Sequence, residues 1–335
     1  MAVTIRDVAA LAGVSPATVS RVFNGDPRVA EELRERVGTA VAKLGYRPNS
    51  QARSLRTRAT KVLGLVIADI RNPFFTALAR GVEDAASARD YSVVLANSDE
   101  NLDKERRYLE IAAAERMAGV VLAPSSTAAS RIDPLSERGI PVVAVDRRLR
   151  GVEVDTVTVN NQKAAAQAVE HLIAAGARRI AMITGPADAS TATGRIAGYR
   201  AALRAAGLAV DPDLEVRGDH RVEGGRAAAA ALLDRPDRPD GLFVGNNLMM
   251  VGALEALADA GVTYPDDLLL AGFDEMSWPG FAPPLTLVEQ PGYEIGRRAT
   301  ELLLRRIAGE HFPPQRLVLP AHLRIRRSTA RPALT

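Results

Sequence analysis

The stretch that most constrains this chain is TIRDVAALAGVSPATVSRVFN, residues 4–24, which reads as two short amphipathic helices joined by a tight turn. Thr4 is an N-cap residue, and Asp7 three places on completes a capping-box pattern. Ile5, Val8 and Ala9 then share one face. Gly13 ends the first helix, Ser15 caps the second, and Pro16 takes a first-turn position where its missing N–H costs nothing. Val19, Val22 and Phe23 form the second apolar stripe, leaving Pro16, Ala17, Ser20 and Arg21 facing outward. Helices shorter than about 12 residues are marginal alone, so a third must clamp them. Residues 31–44 supply it, with Leu33, Val37, Ala40 and Leu44 on one side. This is the pattern of a helix-turn-helix, whose second helix enters the DNA major groove.

The competing reading is a helical hairpin used only for packing. Charge favours DNA. The first sixty residues hold ten Lys/Arg against five Asp/Glu, leaving 33 against 35 for the rest, so the basic excess sits in that first segment. At 335 residues the chain has room for two or three domains. There is no cysteine, hence no disulfide, thiol nucleophile or thiolate metal site, and the four histidines (His171, His220, His311, His322) lack zinc-site spacing. No metal or cofactor is expected. No apolar run is long enough to span a bilayer and no basic-then-apolar leader is seen, so the expected location is the cytoplasm, away from any membrane.

Residues 47–60 form a polar, basic connector in which Asn49 or Ser50 can cap a short helix with only Ala52 and Leu55 as apolar members. It reads equally as a solvated linker or as a helix that orders on DNA or on a second copy. From residue 61 the chain alternates apolar runs (VLGLVIADI, YSVVLA, GVVLA, PVVAVD) with helical patterns such as 75–89 and 103–117. After Asn160 the series restarts, with helices over 162–175, 194–206 and 248–260 between RRIAMITG, GLFVGN and LLLAGFD. A tail follows: LTLVEQ, a helix over 292–308, RLVLP and HLRIRR. Two βαβ series imply two doubly wound parallel α/β lobes. The expected organisation is a head (1–46), a hinge or linker (47–60) and a core (61–335). Within the core, lobe 1 is expected over about 61–160 and 291–320, and lobe 2 over about 161–290 and 321–335. No dinucleotide fingerprint and no P-loop is present.

Ligands of open α/β sheets bind beyond the carboxyl ends of the strands. Nine residues fall there: Asn72, Phe74 and Phe75 after the first run, then Asp146 with Arg147, Arg195 at the next helix start, Asn246, Asp274 and Gln290. Carboxylates, guanidinium groups and carboxamides match vicinal hydroxyls, and the phenylalanines offer flat faces to a sugar ring. Asp146 and Asp274 are expected to offset Arg147 and Arg195, which favours a neutral polyol over an anion. Each residue alone also fits a structural part, as helix cap, ion pair or core. Neither aspartate has a Ser-His or metal constellation beside it, so an enzyme is not expected.

The N-terminal motif, the segment RPNSQARSLRT and a core carrying NPFF, VDRR and GFD together resemble the LacI/GalR family of bacterial transcriptional regulators, over essentially the whole chain. The resemblance implies a homodimer on a pseudo-palindromic operator in double-stranded DNA. Pro16, Ala17 and Arg21 would read base edges, with Arg21 on a guanine. Ser15, Thr18, Ser20 and Asn24 would position the backbone, with further contacts at Thr4, Asn49, Ser50 and Ala52, and Leu55 would wedge into the minor groove. The nine strand-end residues match the sugar contacts of ribose-binding periplasmic proteins. The resemblance thus implies repression relieved by ribose or a similar pentose, against a corepressor-dependent regulator of purine or nucleoside type or a hexose-responsive repressor. His220 stands where an aromatic ring is usual and is counted with the effector contacts, and Asn247 replaces a frequent Asp.

Overall fold

The computed structural model describes residues 3–23, 26, 28–46, 60–275 and 284–330. They form two compact units that divide between residues 60 and 61.

In the first unit, α1 (Ile5–Ala12), α2 (Pro16–Phe23) and α3 (Glu31–Leu44) enclose a small core of Val8, Ala9, Ala12, Val19, Val37 and Ala40. The Asp7 carboxylate accepts from the Thr4 amide at 2.8 Å and from its hydroxyl at 2.7 Å. Gly13 ends α1 at φ +63°, a conformation that disfavours a side chain. From α3, Arg36 donates to the Ala12 and Gly13 carbonyls, which ties the third helix to the carbonyl end of the first. The Ser15 hydroxyl caps α2 by accepting from the Thr18 amide at 3.1 Å.

The second unit holds two six-stranded sheets. The first contains β1 (Val62–Ile67), β2 (Ser92–Asn97), β3 (Gly119–Leu122), β4 (Val142–Val145), β5 (Asp155–Val159) and β11 (Arg316–Leu319), in the order β11-β5-β4-β3-β1-β2 and parallel throughout. The second contains β6 (Ile180–Thr184), β7 (Glu215–Arg217), β8 (Gly241–Val244), β9 (Leu269–Phe273), β10 (Thr286–Glu289) and β12 (His322–Arg324), in the order β12-β10-β9-β8-β6-β7. Only β12 runs antiparallel to its neighbour among these strands. The chain therefore passes between sheets three times: after β5, after β10 and between β11 and β12.

Helices cover both faces of the inner strands, which is why β1, β3, β4, β6, β8 and β9 are continuously apolar. Along β1, Leu63, Leu65 and Ile67 pack toward α4 (Pro73–Ser87) and α11 (Gly292–Ile307), while Val66 joins α5 (Leu102–Ala114) and the single turn α6 (Asp133–Ser136) on the other side. In the second sheet Met182, Phe243 and Phe273 face α7 (Asn161–Ala174) and α8 (Ser190–Ala205). Ile183, Val244 and Leu270 face α9 (Val222–Leu233) and α10 (Asn247–Asp259). The α4/α11 pair is so close that a Cβ on Gly296 would stand 2.1 Å from the Leu78 carbonyl oxygen.

Several boundaries differ from the sequence reading. The first strand ends at Ile67, not Ile70, and α4 starts at Pro73 because Asn72 caps it. Helix α8 starts at Ser190, four residues before the expected 194. Its first turn, Ser-Thr-Ala-Thr, lacks the long apolar residues that give a helix its readable stripe. The sequence reading holds no helix at α9, since VEGGRAAAAALL carries the adjacent Gly224 and Gly225 in its first turn and has almost no polar face. No helix among the described residues is long and apolar enough to cross a membrane.

Candidate functional site

All ten residues singled out in the core line one cleft between the two sheets: Asn72, Phe74, Phe75, Asp146, Arg147, Arg195, His220, Asn246, Asp274 and Gln290. Each lies beyond the carboxyl end of a strand. The free space they leave is small, about 20 Å³. A sugar ring is therefore admitted only when the lobes part or the side chains rearrange.

Two asparagines are committed to the framework. Asn72 caps α4 by accepting from the Phe74 amide at 2.9 Å, and Asn246 caps α10 by accepting from the Met249 amide at 2.9 Å. The Asn246 side-chain nitrogen also donates to the His220 carbonyl, so both its polar ends are occupied by protein. Phe74 and Phe75, in the first turn of α4, meet edge to face at 5.1 Å between centroids.

Arg195 does not stand at a helix start, as the sequence suggested, but in the second turn of α8. Its Nε donates to Asn161 at 2.8 Å, its Nη1 donates to the Gly245 carbonyl, and its plane lies 3.6 Å over the Phe273 ring. Burial lowers the Arg195 pKa, against the pull of Asp274 and Asp146. The Asp274 carboxylate accepts from Gln290 Nε2 at 2.5 Å, and the Gln290 oxygen is left buried without a partner.

The expected charge pairing needs correction at Arg147. Its main partner is Glu100, which takes Nη2 at 2.5 Å and Nη1 at 2.6 Å, whereas Asp146 approaches only Nε, at 3.5 Å. Burial opposes ionisation of Glu100, but Arg147 and His220 override it and hold the carboxyl far below its usual range. Burial likewise opposes the Arg147 charge, and Glu100 and Asp146 outweigh it and raise the pKa. Asp146 and Asp274 have no such partner, and burial pushes both carboxyls up despite the nearby guanidinium groups.

His220 enters from the loop between β7 and α9. Its Nδ1 lies 3.3 Å from Arg147 Nη2 and 3.4 Å from Glu100 Oε1, so this lobe-2 ring meets a lobe-1 ion pair. The imidazole rests on bare backbone: a Cβ on Gly185 would come within 1.8 Å of its Nε2. Burial lowers the His220 pKa, partly opposed by Glu100. Asp146, His220 and Asp274 all have positive φ (63°, 66° and 75°), as do Asp99 and Glu100. Non-glycine residues in that region are uncommon, and such backbone strain gathers at binding sites.

Sequence reasoning left out four lining residues, Asp69, Glu100, Thr191 and Leu248. Glu100 was findable, because it follows β2 as Asp146 follows β4. Asn247, which stands where the resemblance has a frequent Asp, joins the lobes by donating to Asn72 at 2.8 Å.

In the first unit, Thr4 and Ser15 occupy the caps of α1 and α2. Pro16, Ala17 and Arg21 are exposed on α2, while Thr18 and Ser20 are partly buried. Asn24, Asn49, Ser50, Ala52 and Leu55 lie outside the described residues.

Two family profiles match the chain. The one described as bacterial regulatory proteins, lacI family, covers residues 4–49, and the one described as periplasmic binding proteins and sugar binding domain of LacI family covers residues 60–327. The ribose operon repressor of Escherichia coli K12 is 38% identical over 318 residues, spanning 94% of this chain and 96% of that protein. The HTH-type transcriptional regulator CelR of Thermobifida fusca is 40% identical over 340 residues, spanning 97% and 98%. A solved complex of a regulator CelR with cellobiose superposes with a TM-score of 0.74 at 37% identity, covering 97% of this chain and 99% of that one. With a helix-turn-helix unit, a two-sheet sugar-binding-type core and these relatives, the chain belongs to the LacI family of bacterial transcriptional regulators.

Proposed function

We propose that this regulator is a homodimeric repressor that leaves a pseudo-palindromic operator when a neutral sugar, ribose or a similar pentose, closes the cleft. The observation that carries the reading is the donor–acceptor arrangement around that cleft. Arg147 and Arg195 are each held by protein groups through most of their nitrogens, Asp146 and Asp274 are buried acceptors, and Phe74 and Phe75 supply ring faces. Single rigid donors beside carboxylates suit hydroxyl groups, whereas a phosphate or carboxylate ligand is best met by a free guanidinium fork. The relative named as a ribose operon repressor supports a pentose, and the relative solved with cellobiose supports the sugar class.

Sugar that bridges the lobes would shift the population toward the closed form, and the dimer would lose the spacing its two heads need on DNA. Pro16, Ala17 and Arg21 would read base edges, Ser15, Thr18, Ser20, Thr4 and Asn24 would hold phosphates, and Leu55 would wedge the minor groove. Coupling is reciprocal, so operator DNA weakens sugar binding by the same factor.

The competing reading is a purine or nucleoside acting as corepressor, favoured by His220, whose imidazole presents a ring and a polar edge. Thermal melting against sugars and nucleobases separates the two, since a ligand at 100 times its Kd stabilises by about 2.7 kcal/mol. Gel shifts on a selected operator then give the sign. Ribose that releases DNA supports induction, and a ligand that tightens binding refutes it.

A further inference from the structure

Glu100 is the carboxylate that binds a cleft-lining arginine at both terminal nitrogens. It takes both terminal nitrogens of Arg147, whose Nη1 also reaches the Pro124 and Ser125 carbonyls at 3.1 and 3.3 Å. Of that guanidinium only Nε remains, buried and without a hydrogen-bond partner. Arg195 is similarly occupied at Nε and Nη1. Arg147 therefore has no pair of parallel N–H groups to offer an oxyanion, the geometry that makes arginine a phosphate binder, and on Arg195 the Nε side of the fork is taken. Charge points the same way. Glu100, Asp146 and Asp274 face Arg147 and Arg195, while Asp69 is matched by Arg71 at 2.7 Å. Three carboxyl groups thus face two guanidinium groups, and without Glu100 the count would be even.

We propose that Glu100 is the charge filter of this cleft: by holding the Arg147 fork and adding its own negative charge, it restricts the ligand to an uncharged ring and rejects the phosphorylated form of the same sugar. Glu100 is a positioning residue here, acting on the ligand through Arg147 and through the field it adds. The inference deepens the sugar reading and rests on it for the neutral ligand alone.

Calorimetric titration of the full-length protein with ribose, ribose 5-phosphate and 5-O-methylribose tests it. The wild type should bind ribose at least 100-fold more tightly than the phosphate, and the methyl ether within tenfold of ribose. Rejection of the methyl ether as strongly as the phosphate would make the blocked 5-hydroxyl, by its bulk or by loss of the pyranose ring, the cause and overturn the proposal, with no variant needed. E100Q should narrow the ribose-to-phosphate gap at least tenfold, and E100D should restore it. A gap unchanged in E100Q also overturns it. Should no sugar bind the wild type, the effector reading fails and inorganic sulfate decides about Glu100. Sulfate at least tenfold tighter on E100Q than on wild type, and lost again in E100Q/R147Q, upholds the filter; equal affinity removes it.

Discussion

The side-chain nitrogen of Asn247 donates to the side-chain oxygen of Asn72 across the cleft at 2.8 Å, joining the first residue of α10 in one lobe to the cap of α4 in the other. The same Asn72 oxygen accepts from the Phe74 amide, so the carboxamide cannot flip without uncapping its helix. Asn247→Asp therefore sets two acceptors against each other. Loss of this one interlobe hydrogen bond, of order 1.4 kcal/mol, should weaken effector binding about tenfold. Titration calorimetry measures it, and an unchanged Kd would show that the contact plays no part in closure.

Acid should loosen the core through His220. Burial lowers its folded pKa, so the unfolded chain takes up a proton near pH 6.5 that the folded ring, facing Arg147 and Arg195 as well as Glu100, resists. The resulting stability is full above that pH and falls as pH drops below it, by up to about 1.4 kcal/mol per unit for one proton. Glu100 adds a loss in the same direction only below its ordinary value of 4.5. His171, also lowered by burial, contributes in both proteins compared, so the difference isolates His220. Urea denaturation of wild type and H220Q from pH 7.5 to 5.0 should show a shallower acid slope in the variant.

Arg21 is exposed on α2 and has no part in the small core. Arg21→Ala should leave the melting curve and the sugar affinity intact while discrimination at one base pair falls by about 1–3 kcal/mol. Competition between operator variants reads this out. A parallel loss of sugar binding would mean the residue is structural.

Gly296→Ala tests the closest helix pair. The new methyl would stand 2.1 Å from the Leu78 carbonyl oxygen, which is backbone and cannot swing aside, so α11 must move off α4. A loss of about 2 kcal/mol or more is expected. Because α4 carries Phe74 and Phe75 at its start, sugar affinity should fall with it.

What could be read from the sequence depended on how local the signal was. The capped helices of the first unit lie within a few residues of their own start and stop signals, and α3 is found over the expected 31–44. The strand-end rule brought nine residues to one cleft because topology places them there, and His220 joined them through the resemblance. Pairing was not readable. Nothing near Arg147 in the chain announces that its partner is Glu100, 47 residues earlier, rather than the adjacent Asp146. Nor does the sequence show that Asn246 is occupied at both ends, because one of its partners is the carbonyl of His220 in another loop. Helix α9 escaped for a related reason: its outer face carries the exposed Ala227, Ala230 and Ala231 where polar residues would set the period.

Strands β11 and β12 lie three residues apart in the chain and yet edge different sheets. During synthesis neither lobe can finish its sheet until residues 316–324 have left the ribosome, and the first sheet waits with β5 uncovered while the entire second lobe is made. A nascent chain stalled before this point exposes two unpaired strand edges at once, the kind of surface that invites aggregation. A few late residues thus decide when both halves of the sensor become sound.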